Sequence, residues 1–172
     1  CNLKKTWEQE KFIRPAVIIG SKVVRSKHRE DVVAMLKEMK LPFLTTIGAK
    51  GFISEENSFN LRVYTGVGGR STPEGLLLDC CDCVIGIGLR HSDVISVQKF
   101  ECPAFLFDFE HTADNYGFGA NSLYTPNCER LKEEILSLVS SKWSEKEVKR
   151  ILNEGIRSML VADNPVGHLL DR

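Results

Sequence analysis

A chain of 172 residues with 42% apolar side chains suits a single domain and can bury one substantial core. Its 23 basic residues balance 23 acidic ones, which leaves no electrostatic footprint for nucleic acid or an anionic membrane surface. No apolar run approaches the roughly 18–20 residues needed to cross a bilayer, and the opening Cys1–Asn2–Leu3–Lys4–Lys5 is neither a signal peptide nor a starting Met, so a segment of something longer is expected.

Residues 1–13 are charged, carry Trp7 and Phe12, and read as a linker or docking arm. Pro15 opens the first apolar run, Ala16–Val17–Ile18–Ile19, which stops at Gly20–Ser21 as a strand followed by a turn. From His28 to Lys40, Val32, Val33, Leu36 and Met39 recur at helical spacings, and Leu41–Pro42 ends that helix. Phe43 to Ile47 reads as the second strand, closed by Gly48–Ala49–Lys50–Gly51. Val63–Tyr64 reads as a short third strand, leading to Gly66–Val67–Gly68–Gly69. Ser71 or Thr72 can cap the next helix, with Pro73 in its first turn and Glu74 near the positive end of its dipole.

That helix runs to about Cys80 and feeds the central strand, Cys83 to Ile87, which is apolar without alternation and closes at Gly88. Pro103 to Phe107 is another buried strand, ending at Asp108, and Ser122–Leu123–Tyr124 is the last. Helices follow over about Cys128 to Ser140 and Ser144 to Val161, the second with Ser144 and Glu147 at capping-box spacing. Strands alternating with helices imply a parallel sheet covered on both faces. The expected fold is α/β: a three-layer Rossmann-like domain over residues 14–140 with a central parallel sheet of about six strands, then a helical extension over 141–172.

In such sheets ligands sit at the carboxyl ends of the strands, so the loop Gly88 to Asp93 is the first place to look for a site. The amides of Gly66, Gly68 and Gly69 precede a helix and could cradle a phosphate, or simply make a tight turn; neither Gly-x-Gly-x-x-Gly nor a P-loop is matched. Arg90 could grip a phosphate with its fork or stand solvated. Asp108 and Glu110 could accept ribose hydroxyls, or serve as a helix cap or in a turn. With Gly20 and Gly88, which close the first and central strands, these residues make up a candidate nucleotide site. His91 and His111 each follow a strand, whereas His28 and His168 lie in charged or terminal stretches and are expected to be exposed. No Gly-x-Ser-x-Gly elbow supports a hydrolase.

Of six cysteines, Cys80, Cys81 and Cys83 lie on a helix end and a core strand, where cysteine acts as a small hydrophobe. That points to a reducing, cytoplasmic setting rather than a disulfide framework. Cys80 and Cys83 lack the second pair a zinc site would use, so no metal ligands are assigned.

Arg14 to Gly20, followed by Leu41–Pro42–Phe43–Leu44–Thr45–Thr46–Ile47–Gly48–Ala49–Lys50–Gly51, resembles the central domain of thiamine-diphosphate-dependent enzymes, the family of acetolactate synthases and pyruvate, indolepyruvate and oxalyl-CoA decarboxylases. The likeness continues through an acidic Glu55 or Glu56, the stretch Gly66 to Glu74, the run Cys81 to Asp93, and Asp108–Phe109–Glu110. It covers roughly residues 14–140 with its motifs in order.

The resemblance implies a parent enzyme in which a pyrimidine-binding domain supplies a catalytic glutamate and a diphosphate-binding domain holds magnesium through Gly-Asp-Gly. No Gly-Asp-Gly occurs here, so no catalytic residue is assigned and the chain is expected not to bind thiamine diphosphate or turn over a 2-oxo acid by itself. Central domains of this family hold FAD or ADP in some members and neither in others. Val63–Tyr64–Thr65–Gly66 resembles the ligand-free decarboxylases, whereas Leu89–Arg90 resembles the nucleotide-binding branch. Glu110 to Gly119 matches no family pattern. The leading expectation is therefore a structural, assembly domain of a decarboxylase or synthase, open to homo-oligomer formation. A nucleotide-sensing module, or a small enzyme using Arg90, His91 and Asp93, are the alternatives.

Overall fold

Six short segments line up as one parallel sheet in the computed structural model, which describes residues 10–111, 118 and 122–162. They are β1 (Pro15–Ile19), β2 (Phe43–Thr46), β3 (Asn60–Tyr64), β4 (Cys83–Ile87), β5 (Ala104–Asp108) and β6 (Ser122–Tyr124). Their order is β3-β2-β1-β4-β5-β6, and every neighbouring pair is parallel. The helices are α1 (Ser21–Val24), α2 (Arg29–Met39), α3 (Pro73–Cys80), α4 (Cys128–Leu138) and α5 (Glu145–Ala162). Helices α2 and α4 pack together, as do α3 and α5, which flank the sheet in the three-layer α/β arrangement expected for this alternation. Among the described residues, no helix is long and apolar enough to cross a membrane.

The two central strands are buried at every position, which is why their sequences show no alternation. They run in full register from Pro15↔Cys83 to Ile19↔Ile87. The strand order reverses at this pair, so the crevice beyond Gly20 and Gly88 is the topological switch point.

Local signals explain most boundaries. Thr72 caps α3 by accepting from the Gly75 amide at 3.2 Å, with Pro73 at the first helical position. Ser144 and Glu147 exchange the reciprocal bonds of a capping box, Glu147 N–H to Ser144 Oγ at 3.2 Å and Ser144 N–H to Glu147 Oε1 at 3.4 Å.

Two elements differ from the sequence reading. Ser21–Val24 is a helical turn too short to show a period. Strand β3 begins at Asn60, three residues before the apolar pair that announced it. The buried Asn60 amide donates to the carbonyls of Ile53 and Ser54, and Arg62 sits at φ 78° where the register with β2 shifts; both polar residues break the alternation.

The entry to β1 is pinned from two sides. Asp82 accepts the amides of Ile13 (2.8 Å) and Arg14 (2.9 Å), tying β1 to the start of β4. Arg14 stacks 4.0 Å from the Trp143 ring centroid and pairs with Glu147, while Trp143 Nε1 donates to the Pro15 carbonyl at 2.9 Å, which docks the start of α5. Trp7, His168 and most of the unmatched stretch from Glu110 to Gly119 lie outside the described residues.

Candidate functional site

The site expected from the sequence is the carboxyl edge of the sheet. Gly20 and Gly88 form its floor. The Gly20 amide donates to Ile87 O at 2.8 Å and the Lys22 amide to Gly88 O at 3.2 Å, so the turns after β1 and β4 lie in direct backbone contact. A Cβ on Gly20 would lie 2.2 Å from the Gly88 carbonyl oxygen, and Gly88 itself adopts φ +62°. The crevice is closed at its base by the chain itself.

Two acidic side chains occupy the places where an anionic ligand would meet backbone amides. Asp93, in a short 3-10 turn over His91–Asp93, accepts the Ser21 amide at the start of α1 at 3.1 Å. Glu74, in the first turn of α3, turns back onto the glycine loop. It accepts the Thr65 amide (3.0 Å), the Thr65 hydroxyl (2.5 Å) and the Gly66 amide (3.3 Å), and is itself buried. Gly68 lies directly against the same side chain, and the Gly69 carbonyl accepts from the Thr72 hydroxyl at 2.7 Å. An internal carboxylate thus does for this loop what a phosphate does in an anion-binding one. Burial, with the Glu74 charge adding to it, pushes the neighbouring Tyr64 phenol up to about 12.

Asp108, at the end of β5, is buried against Lys22 of α1, with Nζ 2.8 Å from Oδ2 and both side chains at least nine-tenths covered. Its other oxygen accepts the Glu110 amide at 3.0 Å, while Glu110 itself is exposed. Arg90 precedes the Asp93 turn half-buried, and its Nε is buried without a hydrogen-bond partner among the described residues. His111 stacks on Tyr124 at 3.8 Å between centroids. His28, expected to be exposed, is half-buried against Phe109 at 4.4 Å. The structure therefore gathers Gly20, Gly88 and Asp93 at the switch point and Gly66, Gly68 and Glu74 at the glycine loop, with Asp108 tied to Lys22. Lys22 and the inward turn of Glu74 were missed in the sequence. The one available signal was a lysine inside the otherwise small and apolar Gly20–Ser21–Lys22–Val23–Val24.

Residues 10–108 match the family described as thiamine pyrophosphate enzyme, central domain. The chain belongs to that family. Over 99 residues it is 29% identical to a 3D-(3,5/4)-trihydroxycyclohexane-1,2-dione hydrolase of Shouchella clausii, covering 58% of this chain and 14% of that protein. Over 111 residues it is 29% identical to a probable acetolactate synthase large subunit of Methanococcus aeolicus, covering 63% and 18% respectively. The matched stretch thus spans less than a fifth of either relative's length.

Thiamine diphosphate is the group this family implies for a parent enzyme, and the described residues offer no site built for it. No cluster of three or more His, Cys, Asp and Glu side chains that could hold a metal ion is found among the described residues. The buried carboxylates of Glu74 and Asp108 are both committed to internal partners.

Proposed function

We propose that this central domain is the structural and assembly element of a thiamine-diphosphate-dependent 2-oxo acid decarboxylase or synthase, and is not catalytic by itself. The observation that carries the reading is the pair of internal carboxylates, Glu74 on the glycine loop and Asp93 on the start of α1, which take the amides a nucleotide phosphate would use. Asp108, the proposed ribose acceptor, is likewise held by Lys22. On this reading Gly20, Gly66 and Gly88 serve close backbone packing, Gly68 makes room for the Glu74 side chain and Gly69 supplies a carbonyl to the Thr72 cap, rather than holding FAD or ADP.

The partners are the pyrimidine-binding and diphosphate-binding domains of the parent enzyme, in a cytoplasmic assembly that includes homo-oligomers. An apolar cleft of about 540 Å³ between β3 and the end of α5 favours an assembly role; Ile47, Val63, Ile156, Met159 and Leu160 line it. Met159, Leu160 and Val161 are 46%, 66% and 60% exposed, more apolar surface than a helix end needs for its own packing.

The test is turnover. Incubated with thiamine diphosphate, magnesium and pyruvate, the chain releases no carbon dioxide above buffer, because the electron sink is the cofactor's own chemistry and its positioning groups lie elsewhere. Sustained turnover would overturn the reading.

A second reading, a nucleotide-binding module, is favoured by one feature: the buried Nε of Arg90 beside the switch point, with no partner among the described residues.

A further inference from the structure

At the amino end of β4 and β5, two thiols face each other. Cys81 ends α3 and Cys102 immediately precedes Pro103 and β5, and their Sγ atoms stand 3.7 Å apart. The backbone around them is fixed. The Cys81 amide donates to Leu77 O at 3.0 Å, and the Val84 amide to Pro103 O at 2.9 Å, so the approaches to β4 and β5 are clamped side by side. Both residues are half-buried, unlike the fully covered Cys83. Cys102 also lines a recess of about 220 Å³ that runs past Arg70, Asp79 and Glu101 to Gly66, Gly68 and Glu74 of the glycine loop, wide enough for a molecule the size of hydrogen peroxide. Cys83 is fully buried in β4 and Cys80 is exposed at the end of α3.

We propose that Cys81 and Cys102 are a reversible oxidation site, closing to an intradomain disulfide when a peroxide is present. Cys102, which meets the recess, reacts first. Its sulfur attacks one peroxide oxygen, an S–O bond forms as the O–O bond breaks, and the departing hydroxide takes the thiol proton to leave water and a sulfenic acid. The Cys81 sulfur then attacks the Cys102 sulfur. The S–S bond forms, the S–O bond breaks, and the oxygen leaves as water with the Cys81 proton. Two electrons pass from the two sulfurs to one peroxide, and a dithiol returns the pair to its reduced form.

Burial raises both thiols, and the Asp82 and Glu101 carboxylates add to the effect at Cys102. The pair is accordingly slow to oxidise and stays reduced until peroxide accumulates. Proximity sets the product: only Cys102 is in thiol contact with Cys81 among the described cysteines.

The test uses the folded chain, treated with excess hydrogen peroxide, blocked with a thiol reagent, digested and mapped by mass spectrometry. The expected result is a Cys81–Cys102 linked peptide, two hydrogens lighter than the separate thiols, in the majority of molecules and abolished by dithiothreitol. Cys80→Ser keeps the link and Cys102→Ser loses it. Recovery of Cys81 and Cys102 as blocked free thiols after Cys80 has been oxidised would overturn the proposal. A product dominated by links to Cys80 or Cys83 would overturn it equally. Mapping of the unsubstituted chain decides the matter even if a variant fails to fold.

Discussion

Removing the Glu74 carboxylate isolates what the glycine loop owes to an internal anion. In Glu74→Ala the amides of Thr65 and Gly66 and the Thr65 hydroxyl lose their common acceptor, bonds of 3.0, 3.3 and 2.5 Å. Hydrogen bonds to a charged group contribute about 1.5–3 kcal/mol each. Thr65 and Gly66 are half-exposed, so once the loop opens water recovers part of that sum. The net loss is expected at about 2–4 kcal/mol, which lowers the melting midpoint of a chain this size by roughly 5–12 °C. Glu74→Gln keeps the shape and one acceptor oxygen but loses the charge, and should fall between the two. Urea unfolding gives the free energies, and hydrogen exchange at Thr65 and Gly66 shows whether the loop is where protection is lost. A Glu74→Ala variant within about 0.5 kcal/mol of the parent, the scatter of neutral surface changes, would show that the loop does not depend on this carboxylate. A Gln variant less stable than the Ala variant would contradict the expected order.

Lys22→Met removes the cation that faces the buried Asp108 carboxylate and should cost about 3–5 kcal/mol in chemical denaturation, whereas Lys22→Met with Asp108→Leu recovers most of it. Gly20→Ala drives a methyl into the Gly88 carbonyl and should cost about 3 kcal/mol or abolish soluble expression, read by thermal melts of whatever folds. Tyr64 titrates near 12 in the folded state against an ordinary value of 10.0, so its contribution to stability is intact below pH 10 and is lost as pH rises toward 12. Tyr64→Phe should flatten that alkaline decline in pH-dependent unfolding.

Much of this architecture is legible in the chain. Strands β1 and β4 stand out because burial on both faces removes alternation, and α3 and α5 because Thr72–Pro73 and Ser144–Glu147 carry their own start signals. The start of β3 and the whole of α1 were hidden for local reasons: Asn60 and Arg62 put polar residues in a strand, and four residues are too few to reveal a helical period. The site was harder, because its partners are distant in sequence. Lys22 meets Asp108 across 86 positions and Ser21 meets Asp93 across 72, pairings that only the parallel β1–β4–β5 register brings together. A sequence places Glu74 at a helix start, where a dipole argument suffices. That it folds back nine residues onto Thr65 is visible only in three dimensions.

The most direct test of a scaffold domain with its anion positions already filled is calorimetric titration of the folded chain with ADP and with FAD. No saturable heat is expected for either up to about 1 mM, which caps binding at roughly −4 kcal/mol. A saturable isotherm in the micromolar range for ADP or FAD would contradict that expectation, and would show that Glu74 and Asp93 yield their amides to a nucleotide.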